Sequence, residues 1–161
     1  MGTFTLSSND LGGQFTSDHF FNDWGVGGKN VSPHLYWQNA PQGTKSFAIT
    51  MYDPAAPTGS GWWHWVLFNI PANVNELASG AGSTEPGLMP AGTVSGMTDF
   101  GKPGYGGPVP LPNSGFHPYC ITIHALNTEL QLEQTASPAM VGFNIGPATI
   151  AKASILVYLK V

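Results

Sequence analysis

The chain has 161 residues, of which 42% are hydrophobic and only 9% charged, with a formal net charge of −4. Its basic residues apart from histidine are five scattered lysines with no arginine, so nucleic acid is excluded as a partner, because phosphate-backbone binding needs clustered Lys and Arg. No apolar run approaches the roughly 18 residues of a spanning helix, which excludes stable membrane insertion of that kind.

The length suits one domain over residues 1–161, large enough to bury a core. The N-terminus, Met1 to Asn9, lacks a basic segment followed by an apolar stretch, so no signal peptide is expected and the expected location is cytoplasmic. A single cysteine, Cys120, rules out an internal disulfide and reads as a buried thiol in a strand. The 21 glycines and 14 prolines punctuate short apolar runs, which argues for an all-β domain with elaborate loops.

In chain order, Thr3 to Leu6 reads as an edge strand and Asn9 to Gln14 as turn material. His19 to Phe21 reads as a short strand before the Gly-rich loop Gly25 to Lys29. That loop lacks the Gly-Lys-Ser/Thr ending of a phosphate-binding loop. Leu35 to Trp37 forms a short strand ended by Pro41 and Gly43. Phe47, Ile49 and Met51 alternate with Ala48, Thr50 and Tyr52, the pattern of a strand. A second strand puts His64, Val66, Phe68 and Ile70 on one face and Trp63, Trp65 and Leu67 on the other. One helical turn is expected over Asn73 to Leu77, then loop from Ala78 to Gly92.

Gly96 to Ser114 holds too many glycines and prolines to form a ladder and reads as a long ordered loop. Its Asp99-Phe100-Gly101 has none of the other elements of a kinase. Tyr119, Ile121 and Ile123 alternate with Cys120, Thr122 and His124 as another central strand. Ser137-Pro138 starts a short helix, serine as N-cap and proline first, expected to end near Gly142 or Gly146. Ala153, Ile155, Val157 and Leu159 mark a terminal strand. Short strands, long loops and one short helix fit a β-sandwich.

The chemistry concentrates in Met51 to Pro71. If its two strands pair, Asp53 leaves the first at the end where His64 enters the second. Two arrangements satisfy this pattern: a carboxylate and an imidazole meeting at one mouth of the sheet, or a surface Asp in a turn beside a core histidine held by a backbone carbonyl. His117 and Tyr119 share parity with Ile121 and Ile123, so they point inward at their strand's open end if those isoleucines face the core.

Three blocks carry a resemblance. Asp53-Pro54-Ala55-Ala56-Pro57 followed by Trp62-Trp63-His64-Trp65-Val66 resembles the phosphatidylethanolamine-binding protein family, in its bacterial and archaeal Raf-kinase-inhibitor-like branch. Gly115-Phe116-His117-Pro118-Tyr119 resembles that family's Gly-x-His-Arg-Tyr, and Ser32-Pro33-His34-Leu35-Tyr36-Trp37 its Ser-Pro-x-Leu-x-Trp. The resemblance implies a Greek-key β-sandwich of two antiparallel sheets with one or two short helices. It also implies a small pocket for phosphate-like anions formed by Asp53, Pro57, Trp62, His64, His117 and Tyr119, rimmed by the Gly106 to Pro110 loop with Gly107 and Pro110. On that reading His64, His117 and Tyr119 donate to an anionic oxygen, Trp62 and Pro57 supply apolar walls, and Asp53 orients a histidine or accepts from the ligand.

Four positions depart from the family's pattern: Ala55, Val109, Pro118 and Ala148 stand where an acid, a cysteine, an arginine and a histidine are usual. No cofactor is expected. The partners implied are a small anionic or phosphorylated ligand, a kinase or protease that the protein modulates, and a second copy in a homodimer. The alternative is a metal-dependent or other hydrolase using Asp53, His64 and His117, a two-histidine, one-carboxylate composition. His19, His34 and His124 are expected to be structural, and Trp24, Trp37 and Trp65 to be packing residues.

Overall fold

A computed structural model of the chain describes residues 2–85 and 87–160. Among the described residues, eight strands and one helix follow in the order β1 (Thr5–Ser7), β2 (Leu35–Gln38), β3 (Ser46–Asp53), β4 (Trp62–Pro71), β5 (Glu76–Leu77), β6 (Val94–Ser95), β7 (Phe116–Leu126), α1 (Pro138–Ala148) and β8 (Thr149–Lys160). They form two antiparallel sheets, of strand order β1-β2-β5 and β6-β4-β3-β7-β8. In the larger sheet β7 returns by a long connection to lie beside β3, which gives the order β7-β3-β4-β6 of a Greek key.

The core lies between the sheets. Leu6, Leu35, Trp37 and Leu77 of the small sheet meet Phe47, Ile49, Met51, Ile121, Ile123 and Val157 of the large one. A second cluster covers the opposite face of the large sheet, where Ala48, Val66, Phe68 and Leu126 pack under Val141, Ile145 and Ala148 of α1. Strands β3 and β4 are therefore covered on both faces, and β3 is buried almost without alternation.

The expected face assignment of β4 does not hold along its length. Met51 pairs with Trp65 and Tyr52 with Trp63, so His64 is an extra residue on β4. A second irregularity lies between the pairs Ile49–Leu67 and Phe47–Ile70, where Asn69 takes a φ of 57°. These bulges reset the parity. Trp65, Leu67 and Ile70 enter the inter-sheet core, whereas Val66 and Phe68 face α1. Asn69 also pins the loop ahead of α1, accepting from the Leu130 N–H at 2.8 Å and donating to its carbonyl at 3.0 Å.

Four further expectations are corrected. His19 to Phe21 is a turn, because its backbone groups bond within the loop, Gly28 N–H to Phe21 O at 3.0 Å and Asn30 N–H to Phe20 O at 2.8 Å. Asn73 to Leu77 makes no helical turn. Glu76–Leu77 is strand β5, since Leu77 is buried and pairs with Leu35. The helix runs past Gly142 and Gly146 to Ala148, because burial of Val141, Ile145 and Ala148 along one stripe outweighs the glycine propensity cost. Cys120 is only half-buried, with its sulfur 3.4 Å from Thr122 Oγ1. The N-cap is as expected, with Ser137 Oγ accepting from the Met140 N–H at 3.1 Å.

Candidate functional site

At one end of the large sheet β3 stops at Asp53, β4 starts at Trp62 and β7 starts at Phe116. Asp53 lies opposite Trp62 in the ladder, and β7 runs beyond its last pairing with β3 at Cys120. Three strand ends thereby open a cavity of about 200 Å³. Asp53, His64, His117 and Tyr119 form its polar floor.

The floor is ordered by hydrogen bonds made away from the cavity. Asp53 Oδ2 accepts from His117 Nδ1–H at 2.9 Å, and Asp53 Oδ1 accepts from the Ala55 N–H at 2.9 Å. A carboxylate only accepts, so the His117 proton sits on Nδ1 and Nε2 is the nitrogen left for a ligand. Both side chains are buried, at 6% and 4% exposure. His64 donates Nδ1–H to the Gly106 carbonyl at 2.8 Å, and the Gly106 N–H returns a bond to His64 O at 2.9 Å. The mouth of the sheet thus contains both arrangements left open by the sequence: a carboxylate–imidazole pair, made by His117, and a histidine held by a carbonyl, which is His64.

Burial dominates the electrostatics of the His64 imidazole. Burial lowers the His64 pKa to about 4, against the opposite pull of the Gly106 and Gly107 carbonyls and the Asp53 and Asp99 carboxylates. His64 is therefore neutral at neutral pH and its Nε2 is a lone-pair acceptor. Tyr119 lies with its ring 5.1 Å from that of His64 and 6.5 Å from that of His117. Burial, then the Asp53 charge, push its phenol well above the usual value, so it stays a hydroxyl donor. His64 Nε2, His117 Nε2 and Tyr119 Oη have no hydrogen-bond partner among the described residues, and all three residues line the cavity.

Apolar side chains make the walls. Pro57 and Trp62 line the cavity, together with Val109 of the expected rim loop and with Trp24, Phe100 and Leu111, which the motifs did not mark. Trp24 is not a packing residue: it is 61% exposed, holds a φ of 56°, and lies 5.2 Å from Phe100 and 6.4 Å from Trp62, ring to ring. Phe100 is positioned by Asp99, which accepts from the Trp63 N–H at 2.8 Å and donates its own N–H to Trp63 O at 3.0 Å. An Asp beside an aromatic residue in a Gly-rich loop was the available signal.

Gly107 and Pro110 are not among the lining residues. The Gly107 N–H is already donated, to Asn30 Oδ1 at 2.7 Å, and its Cα hydrogen faces the His19 carbonyl, where a methyl group would overlap. The rim loop supports the floor from behind; Val109 and Leu111 are its residues at the cavity. The Ser-Pro-x-Leu-x-Trp block lies elsewhere. Ser32 Oγ accepts from the Gly82 N–H at 2.7 Å, and Trp37 packs in the inter-sheet core.

The remaining histidines sit outside the cavity. His34 Nε2 meets Glu76 at 3.0 Å, and its Nδ1 accepts from the Asn9 N–H at 3.1 Å. His19 Nδ1 accepts from the Thr16 N–H at 3.2 Å. His124 faces Thr149, and burial followed by the Lys152 charge lowers its pKa to about 4. The two-histidine, one-carboxylate set is engaged within the protein, His117 with Asp53 and His64 with Gly106. Among the described residues no group of three or more His, Cys, Asp or Glu side chains is placed to hold a metal ion.

Comparison with known proteins agrees with this architecture. The sequence profile of the phosphatidylethanolamine-binding protein family matches residues 6–160. The chain is 51% identical over 155 residues to YbhB of Escherichia coli (strain K12), covering 93% of this chain and 96% of that one. It is 44% identical over 155 residues to YbcL of the same organism, covering 94% and 85%. The crystal structure of E. coli YbcL, described as a new member of the mammalian family, superposes with a TM-score of 0.95 at 42% identity, over 99% of each chain. No helix among the described residues is long and apolar enough to cross a membrane. On the profile match, the two E. coli relatives and the shared two-sheet fold, this chain belongs to the phosphatidylethanolamine-binding protein family.

Proposed function

We propose that this chain is a binding protein whose cavity holds a small phosphorylated ligand, with the anionic group on the His117, His64 and Tyr119 floor and an apolar substituent against Trp62, Phe100 and Leu111. The observation that carries this reading is the buried Asp53–His117 pair at the bottom of an otherwise apolar cavity. With Nδ1–H held by Asp53 Oδ2, His117 keeps Nε2 for the ligand. Charge-assisted hydrogen bonds contribute about 1.5–3 kcal/mol each, so two or three of them, net of association costs, give roughly millimolar to micromolar affinity.

The test is a thermal-shift and calorimetric titration with phosphate, phosphoethanolamine and nucleotides, wild type beside His117→Ala. An anion that stabilises only the wild type is the expected result. Equal stabilisation of both proteins overturns the assignment.

A second surface supports a protein partner. Phe116, Leu156 and Tyr158 are 61%, 54% and 41% exposed on the outer face of the β7–β8 pair, and Leu111 at the cavity is 37% exposed. Lone exposed apolar residues are ordinary, but neighbouring ones on two paired strands form a patch. The homodimer implied by the resemblance would use this face; a kinase or protease docking there would lie close to the cavity.

A further inference from the structure

The floor of the cavity is not uniformly suited to an anion. His64 is 3% exposed, lies in contact with Tyr119, and faces no carboxylate in a hydrogen bond. Its Nδ1 is fixed as the donor by the Gly106 carbonyl, so a ring flip would set a C–H against that oxygen. Nε2 is left as the lone pair of a buried side chain that lines the cavity. An oxyanion that brings only acceptors would face that lone pair with no hydrogen between them, which is unfavourable in a dry site. The charged groups around His64 are Asp53 and Asp99, and burial outweighs both, so the ring does not take up the missing proton itself near neutral pH. Tyr119 Oη supplies a donor. The floor therefore asks for an oxyanion that brings an O–H as well as acceptor oxygens.

We propose that the cavity selects the singly protonated phosphomonoester, whose P–OH donates to His64 Nε2, over sulfate esters and phosphodiesters, which carry no such proton. This inference rests on the phosphate reading of the cavity and names its ligand class. His64 is then the specificity-determining residue, whereas the Tyr119 hydroxyl serves any oxyanion. The apolar walls make an aryl ester the natural probe.

Calorimetry near pH 5.5, where a phosphomonoester is chiefly singly protonated, would compare phenyl phosphate, phenyl sulfate and methyl phenyl phosphate. Phenyl phosphate is expected to bind about tenfold or more tightly than the other two, the effect of one buried acceptor left unpaired. In His64→Gln, whose amide can present either a donor or an acceptor, the preference should shrink to about threefold or less. Nitrogen-15 NMR of the wild-type imidazole gives an independent reading. Nε2 of His64 should keep the shift of an unprotonated, hydrogen-bonded nitrogen when phenyl phosphate is bound. Equal affinity for phenyl phosphate and phenyl sulfate, or protonation of His64 on binding either, overturns this inference and leaves the phosphate cavity standing. Failure of all three esters to bind overturns both.

Discussion

His64 and His117 are one residue type with two different partners. The Asp53 carboxylate accepts from His117 Nδ1–H. The Gly106 carbonyl accepts from His64 Nδ1–H, and burial, against the pull of that carbonyl, keeps His64 neutral. The same scale explains Gly107. It contributes no donor to the cavity, yet it is the only residue type that fits between Asn30 and the His19 carbonyl. Gly107→Ala is expected to destabilise the fold by about 1–3 kcal/mol through overpacking against rigid backbone, read as a lower urea midpoint with unchanged m-value. A midpoint equal to wild type would show that the loop yields without cost. Trp24 shows where residue-level reading stopped: an indole next to glycine in an irregular loop carries no periodicity, so nothing local distinguished a cavity wall from a packed core residue.

At the scale of elements, bulges decide where side chains go. The extra residue at His64 lets Trp63 stack on Tyr52, with ring centroids 4.2 Å apart, while Trp65 still reaches the inter-sheet core and His64 reaches the cavity. Strict alternation would have put Trp63 and Trp65 on one side. The position of a bulge depends on the partner strand's register, which a single strand's pattern does not contain. Helix α1 was legible at its start for the opposite reason, since capping is a local event. Ser137→Ala should remove the bond to the Met140 N–H and cost about 1 kcal/mol, seen as faster amide exchange in the first turn of α1. Unchanged exchange there would mean that packing on the sheet, not the cap, holds that turn.

Over the whole molecule, the cost of keeping histidines neutral links stability to pH. His64 and His124 have pKa values near 4 in the folded chain, against 6.5 for an unperturbed imidazole. Between those values the unfolded chain binds protons that the folded one does not. The stability contributed by these groups is thus present above about pH 6.5 and lost as pH falls towards 4. Each group contributes a slope of at most about 1.4 kcal/mol per pH unit over that window. Urea unfolding at pH 7, 5.5 and 4.5 should show a drop of several kcal/mol, and His124→Gln should reduce the slope by about half. A flat profile would contradict the burial of neutral imidazoles. The exposed Phe116, Leu156 and Tyr158 face sets a second expectation at this scale. Sedimentation equilibrium should find a dimer for the wild type and a monomer for Leu156→Glu; a wild-type monomer at micromolar concentration would leave that face to a different protein.

The sequence alone determined what depends on neighbours along the chain. Alternating apolar residues marked β3, β7 and β8, Ser137-Pro138 marked the helix start, and the Asp53, His64 and His117 blocks marked both the family and the end of the sheet where the chemistry collects. These follow from strand pleat, capping geometry and motif spacing, all of which are local. Tertiary structure alone decided which histidine pairs with Asp53, that His64 stays neutral, that Gly107 and Pro110 are not among the lining residues of the cavity, and that Trp24, Phe100 and Leu111 are. Those properties depend on desolvation and on contacts between residues far apart in the chain, such as Asp53 with His117 and Asp99 with Trp63. Burial and partner identity exist only once the two sheets close, so no pattern along the chain could have specified them.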